Sequence, residues 1–289
     1  MFDTMQEILC RIEDEKKSFW EVVLDEDLKQ RQVSREQSMS TMMHIWDAML
    51  DAAERYTGQL RSVSGLVGGD GEKMEHYCRE QRCMCGDYLG QAITLALSMA
   101  ESNACMRRIV AAPTAGSCGV LPAVLIPLYR QGEITNSQVL EALYVASGIG
   151  AVIASKASIS GAAGGCQAEV GSASAMAAGA LVHLKGGNGI QIAHAVAMAL
   201  KNLLGLICDP VAGLVEVPCV KRNVVGTVNA VSAADMALAG ITSRIPVDEV
   251  IVAMGEVGQK LPQEFRETAL GGLAATPTGR ELSQRLFGK

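Results

Sequence analysis

Three cysteines in the second half of the chain have the residue type and spacing to hold an inorganic cofactor. Cys166, Cys208 and Cys219 follow a C-x41-C-x10-C pattern, and each lies in a small-residue or proline-punctuated turn. Three thiolates are one ligand short of a closed four-cysteine site, so a metal cluster held by them keeps one corner open for chemistry. The alternative is that all three are buried packing cysteines, because such long separations are not diagnostic.

The local sequence around these cysteines favours ligation. Cys166 follows two glycines and is predicted to open a helix, where unpaired amide groups and the helix dipole lower the pKa of a thiol. Cys208 and Cys219 lie at the two ends of a short turn that two prolines make rigid. Such a turn can hold two ligands with little loss of side-chain entropy.

Acidic and histidine side chains are the other groups with chemical potential near these positions. Glu169, Asp209 and Glu216 lie beside the three cysteines in sequence and could orient ligands or substrate. Pairing of a buried carboxylate with Lys221 or Arg222 is the simpler account. The two histidines on predicted central helices could act as bases, or could be ordinary core or surface residues: His183 and His194.

The other cysteines give weaker signals. Cys10 and Cys105 are expected to be small buried hydrophobic residues on helices. Cys78, Cys83 and Cys85 form a C-x4-C-x-C pattern that is poor for a structural zinc site and has no second ligand pair. Nine cysteines without an export signal argue against a disulfide framework. The sequence leaves open any role for Cys78, Cys83, Cys85, Cys105 and Cys118.

Two glycine-rich loops are candidate anion sites, residues 65–74 and 112–119, and residues 158–165 are predicted to be a third loop rich in glycine and serine. They place exposed amide groups near predicted helix starts, together with Lys73 and the hydroxyls of Thr114 and Ser117. Each loop taken alone could be a plain turn. No G-x-G-x-x-G after a strand and no G-x-x-x-x-G-K-[ST] occurs, which excludes a Rossmann or P-loop interpretation.

The composition describes an acidic globular protein. A net charge of -6 gives no electrostatic reason to expect nucleic acid. The N-terminus has acids where a secretory signal needs basic and apolar residues, so we expect a cytoplasmic protein. The apolar stretches 120–129 and 143–160 are too short or too interrupted by Lys, Gly and Ser to cross a membrane, which predicts a buried core and no membrane partner.

The elements that must position these residues are predicted to be helices. Residues 1–60 carry 20 charged side chains and residues 151–240 only 9, so the first segment is expected to cover a core that lies downstream. The sequence predicts a single compact all-α domain, with glycine-rich loops converging on a central site, an N-terminal helical cover (1–60) and a catalytic region (61–289). The predicted helices lie at 4–31, 35–57, 72–108, 136–157, 190–207, 223–242 and 247–259, with 276–289 as a short surface end.

Five segments between about residues 62 and 279 together resemble the alpha subunit, or catalytic domain, of the iron-sulfur-dependent L-serine dehydratases. Their joint occurrence in this order is far more specific than the cysteine spacing. The segments are SGLVGGDGEKM, IVAAPTAGSCGVLPAVL, SISGAAGGCQAEVGSASAMAAGAL, GLICDPVAGLVEVPCVKRN and ETALGGLAATPTG.

The resemblance implies a 4Fe-4S cluster held by Cys166, Cys208 and Cys219, whose fourth iron acts as a Lewis acid on the hydroxyl of L-serine. Loss of the α-proton and of water then leads to pyruvate and ammonia. By position in the matching motifs, the resemblance assigns substrate binding to Gly68, Gly69, Asp70, Lys73, Thr114 and Ser117. The family's base is a histidine of a Ser-Ser-His-Thr motif that this chain lacks, which implies a separate beta subunit.

Departures from the family pattern leave alternatives open. Residues 105–108 read Cys-Met-Arg-Arg where small residues are usual, and Val170 stands where many members have a further cysteine. No cysteine follows Cys219, so no tail sulfur of this chain can cap the open iron. The alternatives are an L-cysteine desulfidase of the same family, a non-catalytic iron-sulfur sensor or scaffold, and a helical protein without a cluster.

Overall fold

The computed structural model describes residues 2–80 and 83–288, which form one compact helical domain. Within these residues there is no strand, and the only strand-like contact is a single bridge between Cys208 and Arg266. The prediction of an all-α fold is therefore confirmed. The α-helices are α1 (Met5–Glu15), α2 (Phe19–Arg31), α3 (Arg35–Glu54), α4 (Asp70–Arg79), α5 (Gly86–Ala104), α6 (Val120–Arg130), α7 (Asn136–Lys156), α8 (Gly161–Gly164), α9 (Cys166–Leu184), α10 (Gly189–Asn202), α11 (Cys219–Leu238), α12 (Val247–Lys260) and α13 (Pro277–Phe287).

The N-terminal segment folds into three helices, and the single helix predicted over 4–31 is wrong. Lys16 takes a left-handed conformation at the end of α1, with φ of 54°. Ser18 then starts α2 through a capping box with Glu21. The side chain of each residue accepts a hydrogen bond from the backbone amide of the other. Ser34 and Gln37 form the same motif at the start of α3. Local capping therefore overrides the continuous amphipathic pattern.

Three other segments differ from the sequence interpretation. The helix predicted over 72–108 is divided into α4 and α5, which are separate elements. Residues 276–289, predicted as a short surface end, contain α13, which Thr276 caps by accepting a hydrogen bond from the Gly279 amide. Residues 158–165, expected to be a loop, include the four-residue helix α8.

Helix α9 forms the centre of the molecule, and α7, α10 and α11 pack around it. Small residues allow this close packing: a Cβ at Gly179 would stand only 2.2 Å from Ile149 Cδ1 of α7, so a larger residue there would displace the Ile149 side chain. By length and hydropathy, α7 (Asn136–Lys156) is the one described helix that could cross a membrane, but 61% of its apolar window is buried inside the protein. It lies as a core helix against α9 and α2.

The N-terminal helices share the core of the rest of the chain. Met5 and Ile8 of α1 and Trp46 of α3 are fully buried and belong to the same hydrophobic cluster as Ile149 and Val196. These helices therefore cover the central bundle by direct packing. The division of the chain at residue 60 stays a prediction.

Candidate functional site

The three predicted ligand cysteines lie close together. Two of them begin helices, and the third lies in a loop. Cys166 is the first residue of α9, directly after Gly165 with φ of 76°. Cys219 is the first residue of α11, so this helix begins four residues earlier than predicted. Cys208 lies in the loop after α10, where its backbone hydrogen-bonds to Phe265 and Glu267 at 2.8 Å each. All three side chains are buried, with exposed fractions of 1%, 2% and 6% for residues 166, 208 and 219.

The pKa values show that the three sulfurs share one space. A hydrogen bond from the Cys208 thiol lowers the pKa of Cys166, against the effect of burial, and the positive charge of Arg222 lowers it further. The same hydrogen bond raises the pKa of Cys208, and burial adds to the increase. Burial and the nearby Cys166 charge raise the pKa of Cys219. Cys166 is therefore the thiol that ionises first, and its charge acts on both others.

Arg222 of α11 connects the segments that carry Cys166 and Cys208. Its Nη1 donates to Cys166 Sγ at 3.3 Å and to the carbonyl oxygen of Ile207 at 2.8 Å. Its Nη2 forms a salt bridge with Asp209 Oδ1 at 2.7 Å. The other oxygen of Asp209 accepts from the Leu273 amide at 2.8 Å. One guanidinium thus ties the first turn of α9 to the loop that carries Cys208.

Gly161 forms a wall of the same space. A Cβ at this position would stand 3.1 Å from Cys208 Sγ, 3.3 Å from Glu267 Oε2 and 3.5 Å from Glu169 Oε2. Glu267 is one of the few non-glycine residues with positive φ, at 64°. The sulfur and both carboxylates therefore lie close to Gly161, and a larger residue there would crowd the Cys208 sulfur and the Glu267 carboxylate.

The donor set fits a polynuclear cofactor. Among the described residues, no group of three or more His, Cys, Asp or Glu side chains converges on a point suited to a single metal ion. In an iron–sulfur cube each cysteine binds a different iron, so the sulfurs surround the group instead of meeting at one atom. Three buried thiols close to one another, with the pKa of Cys166 lowered towards the thiolate, fit such a cluster.

The loop at 112–119 lies against the first turn of α9. Thr114 Oγ1 donates a short hydrogen bond to the Glu169 carboxylate and lies 3.0 Å from Ser117 Oγ. Burial raises the pKa of Glu169, and the Thr114 hydrogen bond opposes this shift. Asn223 of α11 fixes the loop through the Gly116 carbonyl at 2.8 Å and the Gly119 amide at 2.9 Å.

The start of α4 is occupied by protein groups. The fully buried Glu101 carboxylate accepts from the amides of Asp70 at 2.8 Å and Gly71 at 3.3 Å. Tyr56 Oη donates to Glu101 at 2.5 Å and accepts from the Glu72 amide at 3.2 Å. The next amide, of residue 73, bonds within the helix to the carbonyl of residue 69. The first four amides of α4 are therefore engaged, and the anion expected there from the sequence is matched by a carboxylate of this chain.

The charged side chains at this helix face α11 instead. Asp70 accepts from Lys221 Nζ at 2.6 Å and from Lys73 Nζ at 2.9 Å, which lowers the pKa of Asp70. The preceding loop contains Gly68 and Gly69, whose φ angles are 138° and 84°. A Cβ at Gly68 would stand 2.0 Å from the Leu60 carbonyl oxygen, so only glycine is accommodated there.

The first turn of α11 connects all these parts. Cys219 provides a thiol, Lys221 binds Asp70 of α4, Arg222 binds the Cys166 and Cys208 segments, and Asn223 binds the 112–119 loop. The sequence predicts that Lys221 or Arg222 pairs with a buried carboxylate, but it does not indicate which acid each of them binds. The structure pairs Arg222 with Asp209 and Lys221 with Asp70. The roles of the predicted substrate and cluster residues stay predictions.

Both candidate histidines form hydrogen bonds with residues outside the three-cysteine site. His183 lies in the last turn of α9, at a rise of about 25 Å along the helix from Cys166. It hydrogen-bonds to Glu141 at 3.3 Å. His194 accepts from the Ser243 amide at 3.3 Å.

The remaining cysteines correct two expectations. Cys78 and Cys83 form a disulfide, whereas the sequence argument expected free thiols. Cys10 is exposed and not buried. Cys118 is fully buried, with a pKa raised to about 12 by burial. Cys105 is half-buried and Cys85 is exposed.

Several residues of the site were not named from the sequence. Glu101, Tyr56, Asn223 and Gly161 act through contacts with residues far away in the chain. Glu267 carried a local signal only as part of a matching motif. Its positive φ is not readable from its residue type, because non-glycine residues seldom adopt it.

The fold and the site define a helical protein with three buried thiols at the ends of central helices. A family model described as the serine dehydratase alpha chain matches residues 14–274. The chain belongs to this family.

Relatives support the assignment over the full length. A probable L-serine dehydratase alpha chain of Bacillus subtilis is 48% identical over 288 residues, covering 100% of this chain and 96% of that protein. The L-serine dehydratase alpha chain of Peptoniphilus asaccharolyticus is 40% identical, covering 98% of this chain and 97% of that protein. An L-serine dehydratase of Helicobacter pylori is 35% identical over 95% of this chain, which corresponds to 62% of that longer protein.

Proposed function

We propose that this chain is the cluster-binding catalytic subunit of an enzyme that eliminates water from L-serine to give pyruvate and ammonia. The observation that carries the proposal is the proximity of three buried cysteines whose thiols act on one another's pKa, with Cys208 beside the gap at Gly161. The names of the full-length relatives support the substrate and the reaction. They also support a metabolic role, which we place in the cytoplasm because the N-terminus lacks the pattern of a secretory signal.

Cys166, Cys208 and Cys219 would hold a 4Fe-4S cluster. When bound, the cluster supplies an electropositive iron without a protein sulfur ligand, which polarises the substrate hydroxyl and makes it a better leaving group. The protein's contribution is to keep three thiolates together in a dry space. The positive charge of the Arg222 side chain lies beside the Cys166 sulfur and lowers the pKa of this thiol.

The polar groups around the gap would orient the substrate. Thr114 and Ser117 present hydroxyls beside Glu169, and this set would bind the polar groups at the α-carbon of serine. The turn at Gly68 and Gly69 and the Asp70–Lys73 pair would form a second side of the site. Fixing both ends of a small amino acid leaves one oxygen to reach the iron, and such orientation supplies much of an enzyme's rate.

A second chain would complete the active site. Both candidate histidines of this chain bind other groups: His183 bonds to Glu141 at the far end of α9, and His194 accepts from the Ser243 amide. Relatives named as alpha chains imply an enzyme of more than one subunit. The longer Helicobacter pylori protein contains sequence beyond the part that matches this chain. We therefore assign the base that removes the α-proton to a beta subunit.

The test is reconstitution with iron and sulfide without oxygen, with and without the beta subunit, followed by assay of pyruvate from L-serine. We expect turnover only with both chains and a cluster present. Release of sulfide from L-cysteine at a higher kcat/KM would favour the desulfidase alternative. A stable cluster with four sulfur ligands and no response to L-serine would favour a sensor or scaffold.

A further inference from the structure

Helix α4 buries few apolar side chains, so apolar packing contributes little to holding it in place. Gly71 is the only one of its ten residues that is buried. Most of the others are exposed polar or charged side chains, and Met74 is only half-buried. A helix with so little buried apolar surface opens locally at low cost, so its position depends on specific attachments.

The first attachment is at the N-terminal end. Glu101 and Tyr56 hold the first three amides of α4, as described above. A Cβ at Gly71 would stand 2.4 Å from Ser98 Oγ and 2.8 Å from Tyr56 Oη, so the helix start lies directly on α5. This attachment uses hydrogen bonds between buried groups and does not depend on redox conditions.

The second attachment is at the C-terminal end and is covalent. Cys78, in the last turn of α4, is joined to Cys83, which precedes α5. Both sulfurs lie on α5 at Gly90, where a Cβ would stand 2.9 Å from each of them. The surface of α5 therefore has space for the cross-link only because residue 90 is glycine.

The Cys78 side of the disulfide borders a surface cavity that a small thiol can enter. Cys78 lines a surface cavity of about 620 Å³, together with Tyr56 and Ser98 of the first attachment. The bridge closes a loop of only a few residues, which places its entropic contribution to global stability at the low end. An accessible disulfide with little structural contribution is the labile type that responds to redox poise.

From these contacts the structure assigns Cys78 and Cys83 as a reversible redox modification site that fixes α4 on α5. Reduction by a small dithiol breaks the sulfur–sulfur bond. Two electrons and two protons pass to the two sulfurs, and the dithiol closes to its own disulfide. Exchange with a low-molecular-weight disulfide reverses the step. The reduced form loses the covalent link and keeps the Glu101 and Tyr56 attachment and the Asp70–Lys221 ion pair.

The consequence for the site rests on the proposed function. Asp70 and Lys73 lie at the opposite end of the same helix, where Asp70 accepts from both Lys73 and Lys221 of α11. Freeing the C-terminal end of α4 lets these side chains sample more positions. We expect the KM for L-serine to rise by about three- to tenfold in the reduced form, with kcat and iron content unchanged.

The experiment equilibrates the reconstituted enzyme in glutathione buffers of graded redox poise without oxygen. Mass spectrometry after alkylation counts the free thiols at 78 and 83, and hydrogen exchange follows the amides of α4. Iron content is measured in every sample. C78S is expected to behave as the reduced form at every poise, while C85S, which changes an exposed cysteine two residues from the bridge, is expected to respond as the unaltered enzyme does.

We expect thiol formation, faster exchange in α4 and a higher KM to share one midpoint. Free thiols at 78 and 83 at every poise, or unchanged exchange in α4 when the bridge breaks, would overturn the assignment. A loss of the response in C85S equal to that in C78S would also overturn it. An unchanged KM alongside faster exchange would remove the link to the active site. A full response of thiols and exchange without any serine turnover would leave the modification site intact and count against the proposed function.

Discussion

Arg222 and Asp209 form a buried ion pair with an Nη2–Oδ1 distance of 2.7 Å, and their side chains are 13% and 3% exposed. The same guanidinium donates to the sulfur of Cys166. The pair therefore joins the stability of the fold to the electrostatics of the thiol site. Because both partners are shielded from water, removing one leaves an uncompensated charge.

Replacement of this arginine is the first prediction. R222Q should lower the free energy of unfolding of the iron-free chain by about 3–5 kcal/mol, because Asp209 then stays buried without its partner. The matched control is R55Q, which breaks an exposed i,i+4 pair with Asp51 whose side chains are 78% and 32% exposed. That change should cost less than about 1 kcal/mol. Urea unfolding measures both, and similar costs for the two variants would show that Arg222 is not electrostatically special.

The second prediction separates ligand cysteines from packing cysteines. C166S, C208S and C219S should each lose most of the iron and lower turnover by about a hundredfold or more, because a cluster with two protein sulfurs is poorly held. C118S is the control, since Cys118 is equally buried but donates to the Met99 carbonyl oxygen. It should keep its iron. Iron and sulfide analysis of the purified proteins decides, and retention of a full cluster in any of the first three variants contradicts the ligand assignment.

The sequence predicted the parts of the site that depend on local structure. Two glycines before Cys166 indicate a helix start, and the structure places this cysteine at the first position of α9. Cys219 was predicted to end a turn before a helix at residue 223, but it is itself the first residue of α11. The all-helical class follows similarly from apolar residues at helical spacing. The same local logic, applied without attention to caps, missed the break between α1 and α2, where Lys16 leaves the helical conformation.

Contacts between distant residues could not be predicted in this way. Glu101 lies 31 residues from Asp70 and caps α4 from another helix. Nothing in the residue types around either position identifies the pairing. The sequence also suggested that the 65–74 loop leaves amides free for an anion, whereas Glu101 and Tyr56 occupy them. Tertiary structure satisfied groups that a local interpretation left open.

The third prediction concerns the gap at Gly161. G161A should reduce the iron content and activity, because the added methyl group would stand 3.1 Å from Cys208 Sγ and 3.3 Å from Glu267 Oε2. G171A is the matched control within the neighbouring helix α9, where the nearest atom to a Cβ is 3.9 Å away. It should keep its iron and stabilise the chain by about 0.5–1 kcal/mol, since alanine is the better helix former. Normal iron loading of G161A would show that this gap is not where the cofactor lies.

The fourth prediction uses the pKa of Glu169, which burial raises in the folded chain. For an acid with a raised pKa, the folded state binds its proton more tightly. Its contribution to stability is complete below the unfolded pKa of about 4.3 and decreases as the pH rises through the folded value.

E169Q keeps an oxygen that can accept from Thr114 and removes the charge. The iron-free variant should therefore be more stable than the parent chain at neutral pH, and the two should become equal near pH 4. Urea unfolding at several pH values measures this difference. A variant that is less stable at neutral pH would mean that the Glu169 charge has a stabilising partner in the folded chain, and that its burial does not control the pKa.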